Sequence, residues 1–278
     1  MTAQQEGFYR DGSPVILALD TSTAALAAAV VHGGSTLADI QSFAERNHSV
    51  LTVSKVQELL QVAGLDASAL DGITVGQGPG SYTGMRIAVT VGKTLAWVWD
   101  KPLIGVSSLE ALAYGAYREG GEAQLAGAVK QQDVEGLQTT RREWYVPLMD
   151  ARRGQVYTGL FEAGEGGWQR RRPDGIRLMQ KWVDELLELA LQDKPASIRI
   201  GGDPSLHEEE AGRLAASLSG RSIQVQIVPN DMEGRSLGML GADRLLRGEQ
   251  DDIHSFVPNY TQLAEAEAKL AAARQQGG

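Results

Sequence analysis

Residues 14–33 read PVILALDTSTAALAAAVVHG. The run Val15–Asp20 is apolar up to its last residue and too short for a buried helix, so it reads as a buried strand. Asp20, Thr21, Ser22 and Thr23 follow as a tight polar turn, because Asp, Ser and Thr side chains bond their own backbone two residues on. Residues 24–33 form a second strand. Gly33-Gly34 is a two-residue hairpin signal, and STLADIQSF (35–43) is the third strand. The ordered part of the chain thus opens with a three-strand meander.

Outward from this meander the pattern changes to alternation. A helix is expected over 48–62, with Asn47 as N-cap and Gly64 as stop. A short strand (71–77) leads into the glycine-rich bend GPGSYTG (78–84) and a long helix over 82–99, which Pro102 prevents from continuing. A strand (102–108) and a helix (109–117) follow. Residues 118–143, rich in Gly, Glu, Gln, Thr and Arg, read as a flexible surface insertion. Beyond them come strands at 144–151 and 155–163, a helix at 178–191, a strand at 198–203, a helix from about 205, a strand at 222–229 and a helix at 234–248. A meander followed by strand–helix alternation predicts an α/β protein with mixed sheets flanked by helices, in two lobes. The expected boundaries are 14–107 for the first lobe, 108–229 for the second, 230–248 for a helix returning to the first, and 249–278 for a tail.

The 278 residues suffice to bury a core in each lobe. No apolar run reaches the length of a membrane span. The opening residues lack a basic segment followed by an apolar one, so no secretion signal is expected. The absence of cysteine excludes disulfides, thiolate metal sites and a cysteine nucleophile, and fits a cytoplasmic location. The formal charge of −9 repels phosphate backbones and speaks against autonomous nucleic-acid binding.

Each chemical motif has a bland reading beside the sharp one. Asp20, Thr21 and Ser22 can cradle an anion with backbone amides and hydroxyls; a carboxylate capping its own turn explains them equally simply and is favoured. The bend before the helix at 82 resembles a phosphate loop but lacks the Gly-Lys-Ser/Thr ending, and Lys93 lies too far into the helix. Close helix–sheet packing is the simpler reason for its glycines. Arg86, in the first turns, can bind a carboxylate. Asp150, Arg152 and Arg153 sit around a strand end, where the arginines clamp an anion or the acid fixes the hairpin; both readings stay open. His48 has Thr52 four residues on instead of a second histidine, so no metal site and no metal cofactor are expected. No Gly-x-Ser-x-Gly elbow or HExxH helix is present.

The two early helices carry more apolar surface than one sheet contact needs. Val53, Val56 and Leu60 form one stripe of the first, and Leu51, Leu59 and Val62 another. On the second, Ile87, Val91, Leu95 and Val98 share one side and the smaller Met85, Val89, Gly92 and Ala96 the next. The reading assigns one stripe of each helix to the sheet and the other to a partner protein, with Val53, Val56, Leu60, Met85, Val89, Gly92 and Ala96 as interface residues.

The stretches LALDTST (17–23), GQGPGSYTGMRIAVTVGKTLAW (76–97), VSSLEALA (106–113) and DARRGQVYTGLF (150–161) together resemble the TsaB family, over about Val15 to Tyr260. That resemblance implies an actin-like ATPase (ribonuclease-H-like) fold. It implies a non-catalytic subunit that pairs with the catalytic homologue TsaD and the small ATPase TsaE to form threonylcarbamoyladenosine in tRNA, beside the anticodon. It also implies a homodimer when the partner is absent, docking through the two early helices, contact with tRNA only through the complex, and no cofactor. The alternative is an ATPase or small-molecule kinase in its own right. Two departures stand out: the polar stretch 118–143 is long, and Thr261-Gln262 stands where relatives carry Leu-Arg.

Overall fold

The computed structural model describes residues 12–43, 48–128 and 142–261, with backbone only at 48–50 and 121–128. The first lobe opens with β1 (Val15–Asp20), β2 (Leu26–His32) and β3 (Ser35–Ser42). Gly33 and Gly34 both adopt positive φ, the type I′ geometry that a two-residue hairpin requires. Next come α1 (His48–Ala63), β4 (Gly72–Gly76), α2 (Tyr82–Trp99) and β5 (Leu103–Val106). Strand order in this sheet is β3-β2-β1-β4-β5, with β1 antiparallel to β2 and parallel to β4.

The second lobe begins with α3 (Ser108–Ala128) and contains β6 (Glu143–Asp150), β7 (Gln155–Gly164), β8 (Gly167–Leu178), α4 (Met179–Asp193), β9 (Ser197–Gly202), α5 (Glu208–Leu218) and β10 (Gln224–Ile227). Its order is β8-β7-β6-β9-β10, with β6 antiparallel to β7 and parallel to β9. Both sheets therefore wind as 3-2-1-4-5, and this duplicated ribonuclease-H-like unit is the actin-like architecture. Finally, α6 (Gly234–Leu246) returns to the first sheet.

Alternation along β1 explains the layering. Val15, Leu17 and Leu19 join the core under α1 and α2, whereas Ile16 and Ala18 face the other way, towards α6. Both faces of the strand are covered, so its sequence is continuously apolar. The helix α6 lies directly on the sheet: a Cβ at Gly234 would come 2.3 Å from the Ala28 backbone, and one at Gly241 would come 1.8 Å from Thr74 Oγ1. The helix α3 packs on the second sheet and against α6, so these two helices fill the space between the sheets.

Three features differ from the sequence reading. Residues 118–128 continue α3 as helix instead of starting the insertion, in keeping with their Ala, Glu and Gln content; residues 129–141 lie outside the described residues. The sequence reading assigns no element to residues 164–177, which contain most of the strand β8; Arg170 pairs with Glu110 at 2.7 Å, Arg171 with Asp193 at 2.6 Å and Arg172 with Glu185 at 3.1 Å. The segment after α6 is docked, at least to Thr261: Asp251 bridges to Leu103, Phe256 is buried, and the Asn259 amide donates to the Gln77 carbonyl at 2.7 Å.

Candidate partner-docking surface and interlobe cleft

The lobes enclose a cleft of about 2000 Å³. Its first-lobe wall is the turn after β1 and the start of α2; its second-lobe wall includes Asp150–Arg153, Gly202 and Asp203. Asp20 stands behind the first wall, fully buried. Its Oδ1 accepts the Ser22 amide at 2.6 Å and its Oδ2 accepts the Ser108 hydroxyl at 2.5 Å. Ser108 Oγ in turn accepts the Gly78 amide at 3.0 Å. A Cβ at Gly76 would sit 1.7 Å from Asp20 Oδ2, so nothing fits between the carboxyl and β4. Burial pushes the Asp20 pKa above the usual carboxylate range, against the opposing hydrogen bonds from Ser108 and Ser22.

The rest of the turn is bonded mainly through its backbone and Thr21, while the buried Ser22 hydroxyl has no hydrogen-bond partner among the described residues and Thr21 and Ser22 line the cleft. Thr21 Oγ1 donates to the Gly84 carbonyl at 2.6 Å, and the Ser22 carbonyl accepts the Ser81 amide at 2.7 Å. A Cβ at Gly84 would lie 1.8 Å from the Thr21 oxygen. The glycine loop thus brings α2 hard against the β1 turn, and packing accounts for it. Asp20, Thr21 and Ser22 come together, but as a buried joint with its bonds directed inward. Arg86 is exposed: its guanidinium lies 4.5 Å from the Tyr82 ring centre and its Nε donates to Tyr260 at 3.0 Å. Of the four residues expected at an anion site, Asp20 caps its own turn from a buried position, Thr21 and Ser22 line the cleft, and Arg86 is exposed.

The helix stripes need a second correction. Two stripes exist on α2, but Met85, Val89, Gly92 and Ala96 are the ones that face the chain's own sheet. A Cβ at Gly92 would come 2.0 Å from Val75. Small residues bring this helix close to its sheet, not to a partner. In the other stripe Val91 and Leu95 pack half-buried against the same core, Ile87 is half-buried, and Val98 is 61% exposed. On α1, Val56 and Leu60 are buried with Leu59 and Thr52, while Val53 and Val62 flank that face at 46% and 71% exposure. Of the seven residues expected at an interface, Val53 alone is exposed. Trp97, at 69% exposure, is a large exposed apolar side chain on the polar side of α2, with Arg86, Thr90 and Lys93. The two helices touch one another, and each carries exposed apolar side chains, Val53 and Val62 on α1 and Val98 on α2.

Over 254 residues the sequence is 35% identical to the tRNA threonylcarbamoyladenosine biosynthesis protein TsaB of Bacillus subtilis, which covers 91% of this chain and 96% of that protein. The chain belongs to the TsaB family. The TsaB of Escherichia coli is 30% identical over 58% of this chain and 61% of its own length. Among solved structures, YeaZ from Pseudomonas aeruginosa superposes with a TM-score of 0.63 at 26% identity, covering 89% of this chain and 99% of that one. A family model described as TsaD, tRNA N6-adenosine threonylcarbamoyltransferase, matches residues 40–132, the part that holds α1 and α2.

In this TsaB-family chain the structure also assembles groups that no spacing announces. His207 Nε2 lies 3.3 Å from Asp150 Oδ1 on the second-lobe wall. Tyr260 reaches across 174 residues to Arg86, and its ring centre lies 5.3 Å from that of Tyr82. Only the folding of the docked C-terminal segment creates that second group. Among the described residues no three His, Cys, Asp or Glu side chains gather as metal ligands; the His48 side chain lies outside the described residues. No described helix is long and apolar enough to cross a membrane.

Proposed function

We propose that this chain is a non-catalytic subunit of the cytoplasmic assembly that forms threonylcarbamoyladenosine in tRNA, where it binds and activates a catalytic homologue of the TsaD kind, with TsaE as the third component. The likeness to B. subtilis TsaB along nearly its whole length carries this reading. The sealed Asp20 supports the non-catalytic part: an ATPase of this architecture needs a carboxylate that reaches into the cleft, and both oxygens here are bonded to Ser22 and Ser108. The exposed outer face of α1 and α2 supports the docking part. Docking there favours the partner's competent conformation by adding contact area that only that conformation offers. Without the partner the same face joins a second copy of the chain, and tRNA is bound through the complex.

The test is reconstituted threonylcarbamoylation of tRNA by the catalytic partner and the small ATPase, with and without this chain, alongside Val53→Asp and Val98→Asp. Both positions are exposed, so the variants fold. Modification that needs the chain and is lost with either variant supports the reading. Modification that proceeds equally well without the chain refutes it.

A further inference from the structure

Tyr82 and Tyr260 are exposed by 50% and 39% at the cleft. Large aromatic rings left this open, tilted by 34° with centres 5.3 Å apart and with the Arg86 guanidinium over Tyr82, form a tilted aromatic–guanidinium platform. Across the same cleft, Arg152 and Arg153 project from the turn between β6 and β7. Both arginines hold left-handed backbone, at φ 66° and 55°, a conformation that costs a non-glycine residue about 1 kcal/mol or more. Both are exposed, and no carboxylate among the described residues pairs with either guanidinium. On β8, by contrast, Arg170, Arg171 and Arg172 are each matched to an acid, and Arg177 donates to the Thr158 and Pro173 carbonyls. Of the acids in the cleft, Asp150 is engaged by His207 and the Arg152 amide, and Asp203 by the Ser205 amide; Asp231 is exposed.

We propose that the Tyr82–Arg86–Tyr260 platform and the Arg152–Arg153 turn form a contact site for single-stranded RNA. A splayed base stacks on the tyrosines or on the Arg86 guanidinium plane, and flanking phosphates meet Arg152 and Arg153. Unpaired bases stack on aromatic rings and arginine planes in this way whatever their identity, and arginine binds phosphate with its planar fork. The proposal rests on the tRNA-modifying role above and adds a direct contact from this chain. The chain's charge of −9 makes the site an auxiliary one: it orients RNA already held by the partner.

The experiment measures the affinity of a fluorescein-labelled anticodon stem–loop RNA for the complex of this chain with its catalytic partner, by anisotropy over a salt series. Variants are Tyr82→Ala, Tyr260→Ala and the double Arg152→Gly/Arg153→Gly; the glycines suit the left-handed turn, so that variant keeps its fold. Arg221→Ala, exposed and outside the cleft, is the control. Loss of a stacked base weakens binding by about fivefold or more. Loss of the two arginines lowers the salt slope by about 1 to 2. Unchanged affinity and slope in all three variants, with the complex intact by gel filtration, overturns the RNA site and leaves the subunit role standing. Failure of the unmodified chain to form the complex strikes the subunit role itself. A cleft that binds ATP in a parallel titration, with the same variants losing ATP and not RNA, overturns the proposal in favour of a free nucleotide. Variants that lose the partner while keeping RNA affinity overturn it in favour of a protein contact.

Discussion

Replacing Gly92 by alanine separates the two assignments of the α2 stripes. Were Gly92 on an open face awaiting a partner, the substitution would stabilise the isolated chain by up to about 1 kcal/mol, the helix-propensity advantage of alanine. In the fold described above, the new Cβ lies 2.0 Å from Val75 Cγ1, well inside the 3.4 Å at which ordinary contact begins. Val75 is fully buried and β-branched, so it has no easy rotamer to retreat to. Overpacking of this kind costs about 1–3 kcal/mol. Taking the upper end for so short an approach and subtracting the propensity gain leaves a net loss of about 2 kcal/mol. At about 2–4 °C per kcal/mol for a chain of this size, the melting temperature falls by about 4–8 °C. Thermal unfolding followed by circular dichroism on the isolated chain is the assay. A melting temperature that stays level or rises refutes the inward placement of the Met85, Val89, Gly92 and Ala96 stripe.

Asp20→Asn retains full support of tRNA modification in the reconstituted assay, because the carboxylate serves the fold and not the chemistry; loss of modification with the fold intact would contradict this. Burial raises the folded pKa of Asp20, so its contribution to stability is complete below the unfolded value of 3.8 and is lost as pH rises through the folded pKa. The stability difference between Asn and wild type, measured by urea unfolding, therefore shifts in favour of Asn as pH increases over that window. Val62→Asp leaves the melting temperature of the isolated chain within about 1–2 °C, as a change at a 71% exposed position does, yet abolishes co-elution with the catalytic partner. Phe256→Ala destabilises by about 3 kcal/mol, since this ring fills the space against Gly105 that fastens the C-terminal segment; limited proteolysis then cuts that segment faster.

Much of the fold was legible because its signals are local. The apolar run to Asp20, the Gly33-Gly34 hairpin and the Pro102 stop each encode their own element. What stayed hidden depends on neighbours. The strand β8 looks polar in sequence, while in the fold Arg170, Arg171 and Arg172 meet acids on α3 and α4 and pairing with β7 makes it a strand. The two stripes of α2 were visible, but periodicity cannot say which one lies underneath. Small residues signal a close approach without naming the surface approached, and here that surface is the chain's own Val75. The Asp20 joint needed Ser108, 88 residues away, before its buried character was apparent. Tyr260 came to the cleft only through the docking of residues around Phe256 and Asn259.

The placement of α6 has a consequence for how the molecule is made. The first five strands leave the ribosome early, but the face bearing Ile16, Ala29 and Val31 is covered by a helix synthesised more than a hundred residues later. At translation rates of about 5–20 residues per second, that face waits roughly ten seconds. The second lobe, continuous in sequence, closes its own core in the meantime. A nascent chain of this kind exposes a sticky half-finished sheet until the last of the described helices emerges to cover it.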